Sequence, residues 1–327
     1  MKVKVSELEK TTLAAVKKYG YTDTEAEIIK NILMYAQLRG NNQGVVKLIG
    51  NGIPRIETGK EPTIDKETKV SALLNGNYTH AMVVMDKLVD IAIEKANDIG
   101  VGIAGNHDTS ESTGALGYYV NKIAEQGLIG IAFASAPFQL VAPYGSNEAR
   151  FCTNPMAYGI PTKSDPIILD MAMSSMTYYG LIEAKTAGKS IPDEIGYNSK
   201  GENTNDPSEV MSGALRAFGG HKGSGLALVV QILAGAFVKA DSFDNDSDNA
   251  GNLVIAIDPE IFLSKKDFTE SVSEIIEKVK SARKVDGVSE IFIPGERGNN
   301  FKNEVEKPGE IEIEDNLWKA LQEVIKK

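Results

Sequence analysis

The stretch that most limits what this chain can fold into is Gly219-Gly220-His221-Lys222-Gly223-Ser224-Gly225-Leu226. Four glycines among seven residues, 219 to 225, read as a backbone turn that can take positive φ and let a ligand approach closely. The run that follows, Leu226 to Gly235, is apolar nearly all round and reads as a buried helix. An apolar content of 42% gives it a core to enter. Two readings of the turn stand. Its free N–H groups, the helix dipole and Lys222 can together hold an anion. The same residues also suit a tight turn whose only task is to let a helix into the core.

A chain of 327 residues allows two domains or one large one. A formal net charge of −10, with no basic run, argues against a nucleic-acid surface. Cys152 stands alone, which excludes an internal disulfide and fits a reducing, cytoplasmic setting. His80, His107 and His221 are the only histidines, too few for a zinc site of several His and Cys. Residues 1–9 lack a signal-peptide core. No uncharged apolar stretch reaches the roughly 18 residues of a membrane span.

Along the chain, residues 6–19 form an amphipathic helix, and Thr22-Asp23-Thr24-Glu25 is a capping box opening a second helix to about Leu38. Val45 to Ile49 reads as a helix running towards Ile56. A strand follows at Val70–Leu74, a long helix over 79–99 stopped by Gly100, and a short strand at Val101–Ala104. Residues 106–113 are polar; a helix then runs from Gly114 to Gly127. Further strands fall at Leu128–Ala134, Ile167–Met171, Asn252–Ile257 and Ser289–Ile293, and a helix spans Thr269 to about Arg283. Leu215 to Phe218 make a poor strand. Residues 196–208 read as loop and Asp241–Asn249 as an acidic loop; Asp315 caps a last helix holding Trp318, Leu321 and Ile325. Alternating strands and helices give an α/β or α+β class with a sheet core. A Gly-x-Gly-x-x-Gly directly after a strand is absent, so the sheet is not expected to be a Rossmann fold.

Eight stretches in this order carry a family likeness. They are Ile91-Ala92-Ile93-Glu94-Lys95-Ala96, Gly117-Tyr118-Tyr119, Ala142-Pro143-Tyr144-Gly145, Thr153-Asn154-Pro155, Leu169-Asp170-Met171-Ala172, Thr204-Asn205-Asp206-Pro207, Gly219 to Leu226, and Ile293-Pro294-Gly295-Glu296-Arg297. On them, nearly the whole chain resembles the malate/L-lactate dehydrogenase family of non-Rossmann oxidoreductases. The resemblance implies a mostly antiparallel sheet flanked by helices and a homodimer. It also implies a discontinuous helical, dimerising domain (1–74 with 292–327) around a cofactor-binding sheet domain (75–291). It implies hydride transfer between NAD or NADP and C2 of a small 2-hydroxy or 2-oxo acid, or reduction of a cyclic imino acid. Cofactor contacts then fall on Ser135, Asp170, Met171, Ala172, His221, Lys222, Gly223, Glu296 and Arg297, and Tyr144 is assigned to substrate binding. A lysine in a glycine nest suits pyrophosphate, and a carboxylate suits ribose hydroxyls. Asp170 as a helix cap, and Glu296–Arg297 as a solvated turn, remain open.

The catalytic positions depart from that family. Its Asp-Ser-His-Gly appears as Asn41-Asn42-Gln43-Gly44, with Gln43 on the histidine and Asn42 on the serine. The arginine that grips substrate carboxylate appears as Lys47, which reads either as a grip on an acidic group or as a solvated helix lysine. A second histidine, in Asn-His-Phe-Gly, is replaced by Ser112 within Glu111-Ser112-Thr113-Gly114. The acidic partner of the first histidine falls at Asn198. Amides exchange no proton near neutral pH, so Gln43 and Asn198 cannot serve as acid or base. Three readings follow: a reductase whose proton comes from His107, Glu111 or water; a cofactor-binding relative with different chemistry on an unusual substrate; or a non-catalytic binding protein.

Overall fold

The computed structural model describes residues 1–49, 52–110, 112–241 and 247–326. It begins with strand β1 (Lys2–Lys4) and helix α1 (Val5–Lys18). Helix α2 (Asp23–Gln37) starts through the expected capping box: the Thr22 hydroxyl accepts the Glu25 N–H, and the Glu25 carboxylate accepts the Thr22 N–H at 2.8 Å. Val45–Leu48 is one 3₁₀ turn, its first N–H held by the Gln37 side chain at 3.1 Å. The helix expected to run on towards Ile56 does not form. Strands β2 (Thr63–Glu67) and β3 (Ser71–Asn75) lead to α3 (Ala81–Ile99), which ends where Gly100 turns left-handed at φ 90°.

Strand β4 covers Val101–Thr109, longer than its apolar part suggests, because its polar end hydrogen-bonds to neighbouring strands. Then come α4 (Leu116–Ala124), β5 (Ile129–Ser135), β6 (Val141–Ala142), β7 (Met156–Ile160), β8 (Ile167–Met171) and α5 (Tyr178–Thr186). The segment read as loop from 196 holds β9 (Gly196–Tyr197), β10 (Asn203–Thr204) and α6 (Pro207–Met211). Two of the residues read as a poor strand, Leu215 and Arg216, belong to β11 (Ala214–Arg216), which pairs with β6 and β9. The chain ends with α7 (His221–Leu233), β12 (Ala250–Ile257), α8 (Lys265–Lys280), α9 (Glu296–Glu306), β13 (Glu310–Glu312) and α10 (Asp315–Lys326). Residues 289–293 form no strand. Most of the acidic loop at 241–249 lies outside the described residues.

The main sheet has the order β2-β3-β4-β12-β5-β7-β8. Only β3–β4 pair in parallel, so the sheet is mostly antiparallel, as expected. Alternate residues face opposite ways. Ala132, Ala157, Val254 and Ala256 pack under α1 to α4; Phe133, Met156 and Leu253 pack against Ala227 and Val230 of α7. Both termini close the helical unit. Strand β1 pairs with β13, and the Met1 ammonium meets Asp315 at 2.7 Å, so Asp315 binds the chain terminus as well as opening α10. Strands β2 and β3 belong to the sheet, so its chain starts before the boundary expected at 74.

Helix α7 differs from expectation in two ways. It starts at His221 rather than at Leu226, taking Gly223 and Gly225 into its first turns. It buries only one side. Leu228, Val229 and Ile232 are about half exposed, and Phe237 beyond them is 66% exposed. Among the described residues His221–Val238 alone is long and apolar enough to cross a membrane by length and composition, but its inner side is hydrogen-bonded into the sheet through Asn154.

Candidate active site

The candidate residues gather at the end of β8. Met171 pairs with Met156, and Met156 with Phe133, so β5 and β8 finish at the same end of the sheet and Ser135 emerges beside Met171–Ala172. Just past β8, the Met173 carbonyl accepts the Phe218 N–H at 2.8 Å, which sets the glycine turn against the strand end.

Gly219 and Gly220 both take left-handed φ, 58° and 63°. That conformation costs a side-chain-bearing residue roughly 1–2 kcal/mol. The turn delivers the chain straight into α7, so His221, Lys222 and Gly223 are its first residues, where backbone N–H groups lack helical partners. A Cβ on Gly223 would overlap the Phe218 carbonyl. Tyr144, assigned to substrate binding, lies against this turn. Its N–H donates to the Ser224 hydroxyl at 3.0 Å, and its ring lies 5.9 Å from that of His221.

Beneath the turn lies a residue not singled out for a role. Asn154 is fully buried at φ 41°, a conformation that asparagine tolerates. Its Oδ1 accepts the Ser135 hydroxyl at 3.0 Å. Its Nδ2 donates to the Ala227 carbonyl at 2.9 Å and to Gln231 Oε1 at 2.6 Å. Asn154 therefore fastens α7 to the end of β5. The signal was Thr153-Asn154-Pro155: a polar residue inside a motif that no cofactor contact required.

Asp170 accepts the Gly117 N–H, in the first turn of α4, at 2.7 Å. It thus caps a helix, though not the next one in the chain. Burial raises its pKa to about 6, and the Gly117 hydrogen bond opposes the rise. The folded chain therefore holds a proton that the unfolded chain has lost between about pH 4 and 6. Stability from this group is full below that window and is lost as pH rises through it. Asp170→Asn keeps an oxygen for Gly117 and removes the buried charge. At pH 8 it is expected to unfold roughly 1–3 kcal/mol later than the wild type in urea, with the gap closing below about pH 4.

The turn before α9 docks on the same edge strand, through an Ile168 N–H to Pro294 carbonyl bond of 3.1 Å. Glu296 is not simply a solvated turn residue: it pairs with Lys280 at 2.7 Å and accepts the Ile293 N–H at 2.8 Å. Arg297 lies over the Phe292 ring at 5.1 Å.

The third group meets at the start of α5. Thr177 caps that helix, and its hydroxyl also accepts the Asn42 side-chain N–H at 2.8 Å. Gln43 leans on Asn42 at 3.4 Å. Lys47 is only 1% exposed, which removes the solvated-lysine reading. Its ammonium donates to the Ser112 hydroxyl at 2.9 Å and sits 3.3 Å above the Tyr179 ring. Tyr179 and Thr177 were not foreseen as site residues; a threonine opening a helix soon after a strand end was the available cue. His80 is buried nearby. Burial first, and the Lys47 charge second, lower its pKa to about 3. Its Nδ1 accepts the Met82 N–H at 3.1 Å, so the neutral ring carries its proton on Nε2.

Two expected participants lie elsewhere. His107 is a buried strand residue rather than a loop one, clamped by Asp65 at 3.0 Å and Asp108 at 2.8 Å. Asn198 closes its own turn, accepting the N–H groups of Lys200 and Glu202, so a Gln43–Asn198 pair does not form. Glu111 lies outside the described residues.

The chain has similar proteins among known ones. The family described as malate/L-lactate dehydrogenase matches residues 3–322. The malate/(S)-sulfolactate dehydrogenase of Methanothermus fervidus is 33% identical over 318 residues, 93% of this chain and 91% of that one. The ureidoglycolate dehydrogenase (NAD(+)) of Escherichia coli (strain K12) is 27% identical, covering 92% of this chain and 89% of that one. The solved structure of malate dehydrogenase from Pyrococcus horikoshii OT3 superposes with a TM-score of 0.87 at 29% identity, over 100% of this chain and 95% of that one. A match over nearly the full length, on a mostly antiparallel sheet, places the chain in the malate/L-lactate dehydrogenase family.

Proposed function

We propose that this protein is a reductase or dehydrogenase that moves hydride between a nicotinamide dinucleotide and C2 of a small 2-oxo/2-hydroxy acid or imino acid. Two features carry the reading. One is a glycine turn with Lys222 in the first helical turn of α7, chemically suited to a pyrophosphate. The other is the buried Lys47 ammonium beside Ser112, suited to an anionic or carbonyl-bearing substrate. Asp170 and Glu296 would take the ribose hydroxyls, and Ser135, Met171 and Ala172 would line the ring path. Bound NAD or NADP supplies the hydride. The chain supplies orientation, charge and exclusion of water. Lys47 supplies attraction for the carboxylate of a small substrate.

The test is turnover by the full-length protein with NADH and NADPH on oxaloacetate, 3-sulfopyruvate and Δ1-pyrroline-2-carboxylate, followed by loss of reduced-nicotinamide absorbance. Turnover on at least one supports the reading. Tight cofactor binding without turnover on any would favour a binding protein.

The working unit is read as a homodimer. The exposed row of Leu228, Val229, Ile232 and Phe237 on and just after α7 is an apolar face of the kind that a second copy covers. Sedimentation at micromolar protein is expected to give twice the 35.2 kDa chain mass; a monomer would remove this reading.

A further inference from the structure

We infer that Ser112 is the group that protonates the substrate, and that Lys47 supplies the proton through it. This rests on the hydride-transfer reading above. Reduction at C2 needs a proton on the oxygen or nitrogen that was doubly bonded. Asn42 and Gln43 lie at the start of α5, through Thr177, and neither amide can release a proton near neutral pH.

The geometry around Ser112 specifies the relay. The Lys47 ammonium donates to Ser112 Oγ at 2.9 Å, and the Gly114 N–H donates to the same atom at 3.2 Å. Both lone pairs of the hydroxyl are thus engaged, so its own O–H hydrogen is the one left to give. Lys47 is held in place by burial and by the Tyr179 face 3.3 Å away. His80 beside it stays neutral and adds no competing charge.

The step balances. Hydride leaves C4 of the reduced nicotinamide and forms the C2–H bond. The C=O or C=N π pair moves to the heteroatom, which takes the Ser112 proton as its O–H or N–H bond forms. Ser112 Oγ takes a proton from Lys47, whose ammonium becomes an amine and is recharged from solvent. Oxidation runs the same path in reverse. The cation also favours negative charge developing on the substrate heteroatom.

Arginine separates this relay from a simple carboxylate grip, because a guanidinium keeps the charge but does not release its proton. The measurement uses the full-length protein, its preferred reduced cofactor and the fastest substrate of the panel above. Lys47→Arg and Ser112→Ala are expected to lose at least about 100-fold in kcat while cofactor affinity stays within about threefold. Lys47→Ala is expected to be rescued by added alkylammonium ions, with the rescued rate rising as the ammonium becomes more acidic. A Lys47→Arg protein that keeps its kcat overturns the relay in favour of the grip. If arginine does not fit the buried slot, the rescue decides: no rescue, or rescue that ignores ammonium acidity, overturns the relay. Unchanged kcat in Ser112→Ala, with an active wild type, overturns the relay alone. A wild type inactive on the whole panel overturns both the relay and the hydride-transfer reading.

Discussion

Gly223→Ala is expected to weaken NADH and NADPH binding by at least about 100-fold, a loss near 3 kcal/mol. The added Cβ would overlap the Phe218 carbonyl, a backbone atom that cannot swing aside as a flexible side chain can. The first turn of α7 must then move. Gly219 and Gly220 leave it little choice of path, since both already hold left-handed φ, and Phe218 is tied to Met173 at 2.8 Å. The N–H groups of the first turn leave their common direction, and the anion site goes with them. Gly225→Ala is the control. A Cβ there meets nothing within 4 Å, and alanine within a helix gains about 0.5–1 kcal/mol over glycine. It is expected to bind like the wild type and melt slightly later. Fluorescence titration of both variants, with circular dichroism to check folding, tests the pair. Equal affinity in the two would mean that the glycine turn does not shape the site.

Asn154→Ala is expected to cost about 3–5 kcal/mol in urea unfolding, from lost buried hydrogen bonds and from left-handed strain in alanine. Ser135 and Gln231 each lose the partner they share at 3.0 and 2.6 Å, and the Ala227 carbonyl loses its side-chain donor. Because Asn154 sits at φ 41°, Asn154→Gly should recover roughly 1 kcal/mol of the loss by relieving strain alone. Both variants loosen α7 from β5, so both should also weaken cofactor binding. A loss below about 1 kcal/mol, within reach of an ordinary surface change, would mean that Asn154 does not fasten the helix.

Local signals were legible in the sequence where one element decides its own boundary. Thr22 and Glu25 cap each other, and Gly100 ends α3 where a left-handed residue is required. Long apolar strands were equally plain. Short pairings were not, because β6 pairs with β11 across a long stretch of chain. The start of α7 was misplaced for an instructive reason. Gly223 serves close approach to the Phe218 carbonyl rather than a turn, and it does so from within the helix. The site divides in the same way. The glycine turn was identified from its residues, and Asp170 through the family resemblance. His107 looked available until the fold brought Asp65 to its other nitrogen, across 42 positions. Lys47 stayed open between a grip and a solvated lysine because nothing near it in sequence discloses Ser112, 65 positions on, or the ring of Tyr179.

The central claim is that the end of β8 is a dinucleotide site. Titration of the purified protein with NADH and then NADPH, followed by nicotinamide fluorescence, tests it most directly. Saturable binding of at least one at micromolar concentration or tighter, about 8 kcal/mol or more, is the predicted result. No binding of either dinucleotide, by a protein shown to be folded, would contradict it.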